Sequence, residues 1–240
     1  MEALDRRAVA GAVKRRAHRE DLVRRQPAVE DTAIDDPAER VEDGAMARLE
    51  IDAIGPKAGR RNLVTAVIET PAGSRNKFVY DGDLGFFRLH KILPMGSAFP
   101  FDFGFIPGTL AEDGDPLDLL VLGEEATFTG CAVTVRLLGV MQALQTDDRR
   151  TIRNDRLIGT PEGEKIKPAA LSIDEVPGRV LDQIEHFFIA YNRYEGREFK
   201  IVKRRGPGAA LKLLEQARRK YMDAQTKRQA GISARQGLSS

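Results

Sequence analysis

The chain has 240 residues, 42% hydrophobic and 31% charged, enough for one globular domain with peripheral sequence to spare. Its 38 basic and 36 acidic residues leave a net charge of only +2, so no global field recruits nucleic acid or an anionic membrane. A single cysteine, Cys131, excludes an internal disulfide framework, and no apolar run is long enough to span a bilayer, so a soluble, cytoplasmic protein is expected.

Residues 1–47 differ from the rest of the chain: arginine-rich around Lys14, Arg15 and Arg16, acidic between Asp31 and Asp36, and nearly without large apolar side chains. Such a segment buries too little surface to offset its ordering entropy. A polar N-terminal extension is expected, disordered or marginally helical over Asp5–Arg25. Interspersed Glu20, Asp21 and Glu30 do not suit an arginine-rich transit peptide.

The globular domain is expected over residues 48–228. It opens on an alternating run, Asn62–Thr70, with Val64, Ala66 and Ile68 on one face and Leu63, Thr65, Val67 and Glu69 on the other. This predicts a strand in which a charge, Glu69, ends an otherwise apolar row. Pro71 and Gly73 turn the chain into a short strand, Lys77–Tyr80, and Asp81-Gly82 forms the hairpin turn to a third strand, Phe86–Leu93. From position alone Glu69 reads equally well as a solvated strand end and Lys77 as a surface lysine. His90 lacks a second His or Cys at ligand spacing and reads as a strand-surface residue.

Three carboxylates, Asp113, Asp115 and Asp118, then fall within six residues, between the aromatic run Phe99–Phe105 and the apolar run Leu117–Leu122. Isolated charges at the edge of a dry interior lose on the order of several kcal/mol of hydration each, so they need cations beside them or must give up their charge. Asp113-Gly114-Asp115-Pro116 is also ordinary turn chemistry. Asp118 is not, because it interrupts a run that reads as a buried strand, and hard divalent ions are the simplest resolution. A calcium loop of the helix-loop-helix kind fails on Leu117 and Asp118, although Glu124 falls at its last ligand position.

Cys131–Leu144 is a long strand with Gly139 as a bend or bulge, Asp147–Arg150 is a polar hairpin tip, and Arg156–Gly159 returns as a strand. Short strands at this spacing point to an α+β, mainly β fold built on a small barrel rather than a parallel sheet. Pro177 opens a helix whose stripe, Leu181, Ile184, Phe188 and Tyr191, ends at Gly196. A last helix, Ala209 to about Gln225, precedes a polar tail over residues 229–240.

The stretch Asp113-Gly114-Asp115-Pro116-Leu117-Asp118, preceded by Phe103-Gly104-Phe105-Ile106, resembles the signature of the soluble family I inorganic pyrophosphatases, and the likeness runs from about Leu63 to about Val202. The resemblance implies a five-stranded, OB-like closed barrel flanked by two or so helices, and a homo-oligomer. It also implies hydrolysis of pyrophosphate to two phosphates by metal-activated water, with several Mg²⁺ ions as cofactor. By the same resemblance Glu69, Asp113, Asp115 and Asp118 are metal ligands, and Asp115 is the general base or a bridging ligand. Lys77 and Tyr191 hold phosphate and serve catalysis, Lys91 stands where an arginine contacts substrate, and Arg156 where a substrate-binding lysine is usual.

The chain departs from that pattern at several positions. Gln145 and Asn154 replace two metal-binding aspartates, Asn192 replaces a lysine, and Phe99 and Phe103 stand where tyrosines are frequent. An amide oxygen coordinates Mg²⁺ without bringing charge, so Asn154 stays in the expected ligand set, with Asp147, Asp148 or Asp155 as substitutes should the loop shift. Lys200, Lys203, Arg204 and Arg205 are expected to restore part of the positive rim. The diluted charge leaves two alternatives: a catalytically weakened, pyrophosphatase-like protein that binds phosphate and metal, and a non-enzymatic divalent-ion module using only Asp113 to Asp118.

Overall fold

The computed structural model describes residues 62–148, 150–163 and 170–236. The expected N-terminal extension lies outside these residues. The described chain runs β1 (Leu63–Thr70), β2 (Asn76–Asp81), β3 (Phe86–Ile92), β4 (Asp102–Ile106), β5 (Leu117–Val121), β6 (Ala132–Thr146), β7 (Thr151–Arg153), β8 (Arg156–Pro161), helix α1 (Gly178–Tyr194), β9 (Glu198–Arg205) and helix α2 (Pro207–Gln236). It is mainly β with two helices, and none of its helices is long and apolar enough to cross a membrane.

Strand pairing closes on itself. The order β1-β4-β5-β8-β6 returns to β1 through the register Leu63↔Arg136 to Val67↔Ala132. Only the β5–β8 pair within this ring is parallel, in register at Leu119↔Leu157. Strands β7 and β9 extend from the long β6, while β2 and β3 form a separate hairpin.

Strands β4, β5 and β8 are buried on both faces, which is why β5 and β8 read as apolar runs rather than alternating ones. Leu117, Leu119 and Val121 face a cluster completed by Ala210, Leu214 and Ala217 of α2. Leu120 and Ile158 face the other cluster, completed by Leu181, Ile184 and Phe188 of α1. The helical spacing of those α1 and α2 residues is what lets each helix cover one side. The bend expected at Gly139 is a bulge, where the β6–β8 register slips between Leu137 and Gly139. A Cβ at Gly139 would lie 2.4 Å from the Arg205 carbonyl oxygen, so β9 packs against β6 only because no side chain is there.

Some elements differ from expectation. The β2–β3 turn is longer than Asp81-Gly82: the Asp81 carboxylate accepts from the Asp83 and Leu84 amides at 3.2 Å, and Gly85 closes it. Strand β9 was hidden in the sequence because Phe199, Ile201 and Val202 stand among charges. Helix α2 continues to Gln236, past the apolar stripe, where Ala224, Gln225, Lys227 and Arg228 lose little freedom on becoming helical.

Candidate active site

Segments far apart in the chain converge on one cleft of about 290 Å³, bringing together Glu69, Lys77, Asp113, Asp115, Asp118, Asn154, Arg156 and Tyr191, with Gln145, Asn192 and Arg197 beside them. Glu69 is the penultimate residue of β1, and its Oε1 accepts from the Tyr80 amide at 2.8 Å, which ties β1 to β2. The buried Thr70 beside it bonds both backbone groups of Phe78, accepting from its N–H at 3.1 Å. That junction sets Lys77 over the cleft, its Nζ 5.6 Å from the ring centroids of Phe103 and Tyr191.

The acidic wall is the loop between β4 and β5. Thr109 closes its base by donating to the Ile106 carbonyl and accepting from the Leu117 amide at 2.9 Å. Gly114, at φ 96°, reverses the chain between the two aspartates, a conformation that penalises a side chain. Asp113 accepts the Asp115 amide at 3.2 Å. Asp113 and Asp115 stand exposed at the rim, not against a dry interior as the sequence suggested. Among the described residues no hydrogen bond or ion pair holds the Asp115 carboxylate.

Asp118 lines the same cleft but sits on a strand. Alternation along β5 places it on the face of Leu120, and alternation along β8 places Arg156 on the face of Ile158. Both residues come one position before the register pair Leu119↔Leu157, so the parallel pairing sets them side by side. The Arg156 guanidinium forms an ion pair with Asp118 and donates to the Asn154 side-chain oxygen. Asn154 in turn donates to Gln145 Oε1 at 3.0 Å. Arg156 is 6% exposed and sits against three rings, 5.2 Å from Phe188, 5.5 Å from Phe199 and 6.0 Å from Phe103.

The carboxylates hold their protons more tightly than usual. Burial raises Glu69 to about 7, aided by the charges of Asp118 and Asp115 and opposed by the Tyr80 amide and Lys77. Burial also raises Asp118, against the pull of Arg156 and Lys77. Asp113 and Asp115 are raised by partial burial, with the charge of Asp115 adding to it at Asp113 and that of Asp118 at Asp115. Four carboxylates face three cations, Lys77, Arg156 and Arg197, and the residual negative charge with hard oxygen donors fits divalent ions. Among the described residues no three acidic or imidazole side chains converge on one point as they stand, and Asp118 is held within the cleft by its ion pair with Arg156.

Several expected neighbours lie away from the cleft. Lys91 lies opposite Lys77 in the hairpin, but its ammonium pairs with Glu195, 5.3 Å from the Tyr191 ring, and it does not line the cleft. Asp155 accepts the Ala143 amide at 3.0 Å and pairs with Arg153, while Asp147 accepts the Arg150 amide at 3.0 Å in its own turn, so neither stands in for Asn154. Arg204 is bound to Asp182 and Glu185, and none of Lys200, Lys203, Arg204 or Arg205 lines the cleft. Arg197 does, and sequence reasoning missed it. Its only signal was its place directly after the helix-ending Gly196, where its amide turns back to the Asn192 carbonyl at 2.9 Å.

An acidic rim facing lysine, arginine and a tyrosine on a closed ring of strands defines a class of site: one for a polyanion accompanied by divalent cations. The family model described as inorganic pyrophosphatase matches residues 66–222. The chain is 36% identical over 166 residues to the inorganic pyrophosphatase of Synechocystis sp., covering 69% of this chain and 94% of that one. It is 39% identical over 173 residues to that of Thermus thermophilus, covering 72% and 95%. Among solved structures, the inorganic pyrophosphatase from Thermus thermophilus superimposes with a TM-score of 0.62 at 37% identity, covering 70% of this chain and 95% of that one. The one from Neisseria gonorrhoeae gives 0.65 at 28% identity, covering 72% and 99%. The chain belongs to the inorganic pyrophosphatase family.

Proposed function

We propose that the cleft hydrolyses inorganic pyrophosphate to two phosphates, on the five-stranded, OB-like barrel that the closed strand ring resembles. The observation that carries this reading is the meeting of Glu69, Asp113, Asp115 and Asp118 with Lys77, Arg156, Arg197 and Tyr191 in one cleft, in a chain of this family. The Glu69, Asp113 and Asp115 carboxylates would hold Mg²⁺, which would supply charge neutralisation on the phosphoryl oxygens and a water acidic enough to ionise near neutral pH, while Asp118 stays paired with Arg156.

The chain's own groups do the rest. Asp115, whose carboxylate no other described residue holds, accepts the proton of the attacking water as the new P–O bond forms. The bridging P–O bond breaks and its electron pair leaves with the second phosphate, whose charge Lys77 and Arg156 offset. Tyr191 presents a hydroxyl donor on an aromatic body packed against Phe99 and Phe187, which keeps that donor in place. Lys91 reaches substrate only by releasing Glu195. A single cysteine suits a reducing cytoplasm, and exposed Phe86, Leu89 and Ile92 on β3 suit assembly of several copies.

Phosphate release from Mg-pyrophosphate by wild type and Asp115→Asn tests this. Wild type should turn over, and the variant should lose about 10²–10⁴-fold, the usual worth of a positioned base. A wild-type rate equal to buffer would remove the reading.

A further inference from the structure

The wall opposite the acidic loop carries its own cation. Arg156 is buried, clamped between Asp118 and Asn154 and enclosed by the rings of Phe103, Phe188 and Phe199. Its Nε is also buried, without a partner among the described residues. Asn154 Oδ1 accepts from that guanidinium and Gln145 Oε1 accepts from Asn154, so both amide oxygens already face N–H donors. Neither amide brings the negative charge that would draw a second cation past a guanidinium. Two neighbouring carboxylates in the sequence, Asp155 and Asp147, are bound to backbone amides of Ala143 and Arg150.

We propose that Arg156 is a resident cation that closes this wall to divalent ions, and that Gln145 and Asn154 position it rather than ligate metal. The proposal rests on the reading of the cleft as a divalent-ion site. Ions are then confined to the side of Glu69, Asp113 and Asp115, and the guanidinium supplies a fixed positive charge that needs no free metal. A planar guanidinium suits the task because it holds the Asp118 carboxylate and the Asn154 oxygen together, which a lysine's single ammonium does with less direction.

The test is the number of Mn²⁺ ions bound per chain, counted by the electron paramagnetic resonance of free Mn²⁺, without substrate. Wild type, Asn154→Ala and the triple variant Gln145→Asp/Asn154→Asp/Arg156→Lys are compared, each checked for fold by circular dichroism. Asn154→Ala should bind the same number of ions as wild type, with dissociation constants changed by less than ~2-fold. The triple variant, which restores two carboxylates and weakens the clamp, should bind about one further ion. Loss of an ion in Asn154→Ala, or weakening by about tenfold or more, would make Asn154 a ligand and overturn the proposal. Equal counts in wild type and a folded triple variant would overturn it too, and if the triple variant does not fold, the Asn154→Ala result decides alone. Wild-type phosphate release, measured separately, reports on the hydrolysis reading: no release with these ion counts unchanged removes the reaction and leaves the resident cation.

Discussion

The two walls of the cleft balance charge in opposite ways. The β4–β5 loop exposes Asp113 and Asp115 on a glycine-reversed turn and brings no cation of its own, so its charge awaits a mobile partner. The β6–β8 wall buries its charge and answers it internally, Asp118 with Arg156, Arg156 with Asn154, Asn154 with Gln145. One wall is chemistry waiting for solution components; the other is part of the folded core. Substitutions in the first should therefore act on rate and ion binding, and single substitutions in the second mainly on stability.

The sharpest contrast is Asp115→Asn against Gln145→Ala in phosphate release. The first should fall by about 10²–10⁴-fold, and the second, a residue that only supports Asn154, by about 10–100-fold at most. Comparable losses would erase the distinction between the walls. Next is the aromatic seat of Arg156: Phe188→Ala removes a fully buried ring and should cost about 3–5 kcal/mol of unfolding free energy in denaturant titrations.

A smaller effect comes from Glu69. Its pKa rises from 4.5 to about 7 in the folded, metal-free chain, so the folded state holds a proton that the unfolded state has released. In chelator, thermal stability should therefore fall as pH rises from 4.5 to about 7 and level off above, and Glu69→Gln should flatten that slope. Binding of a divalent ion below pH 7 should release protons, visible as calorimetric heats that depend on buffer. The smallest effect belongs to the pair outside the cleft: Glu195→Gln should cost less than about 1 kcal/mol, because Lys91 and Glu195 are partly solvated. Lys91 holds the Glu195 carboxyl below its usual pKa, so that contribution is present near neutral pH and disappears in acid.

The acidic wall was legible because its chemistry is local: three aspartates within six residues, one of them breaking an apolar run. Periodicity gave only positions to Glu69 and Tyr191, the charged end of an alternating strand and the last step of a helical stripe; their place in the site came from the family resemblance. The second wall was legible only through the family resemblance, which brought Gln145, Asn154 and Arg156 to the site but not their clamp on Asp118. Arg156 meets Asp118 only because β5 and β8 pair in parallel, and no local pattern announces a pairing between distant segments. Lys91 and Glu195, 104 residues apart, are the same case. Strand β9 hid its apolar residues among Lys200, Lys203, Arg204 and Arg205, none of which lines the cleft, whereas Arg197, which does, showed only its position after Gly196.

The most direct measurement is an anomalous-difference map from crystals grown with Mn²⁺ and a non-hydrolysable pyrophosphate analogue. The account predicts ion density beside Asp113, Asp115 and Glu69, the analogue reaching toward Lys77 and Tyr191, and Arg156 still on Asp118. An ion between Asp118 and Asn154, with Arg156 displaced, or an analogue bound away from this cleft, would contradict it.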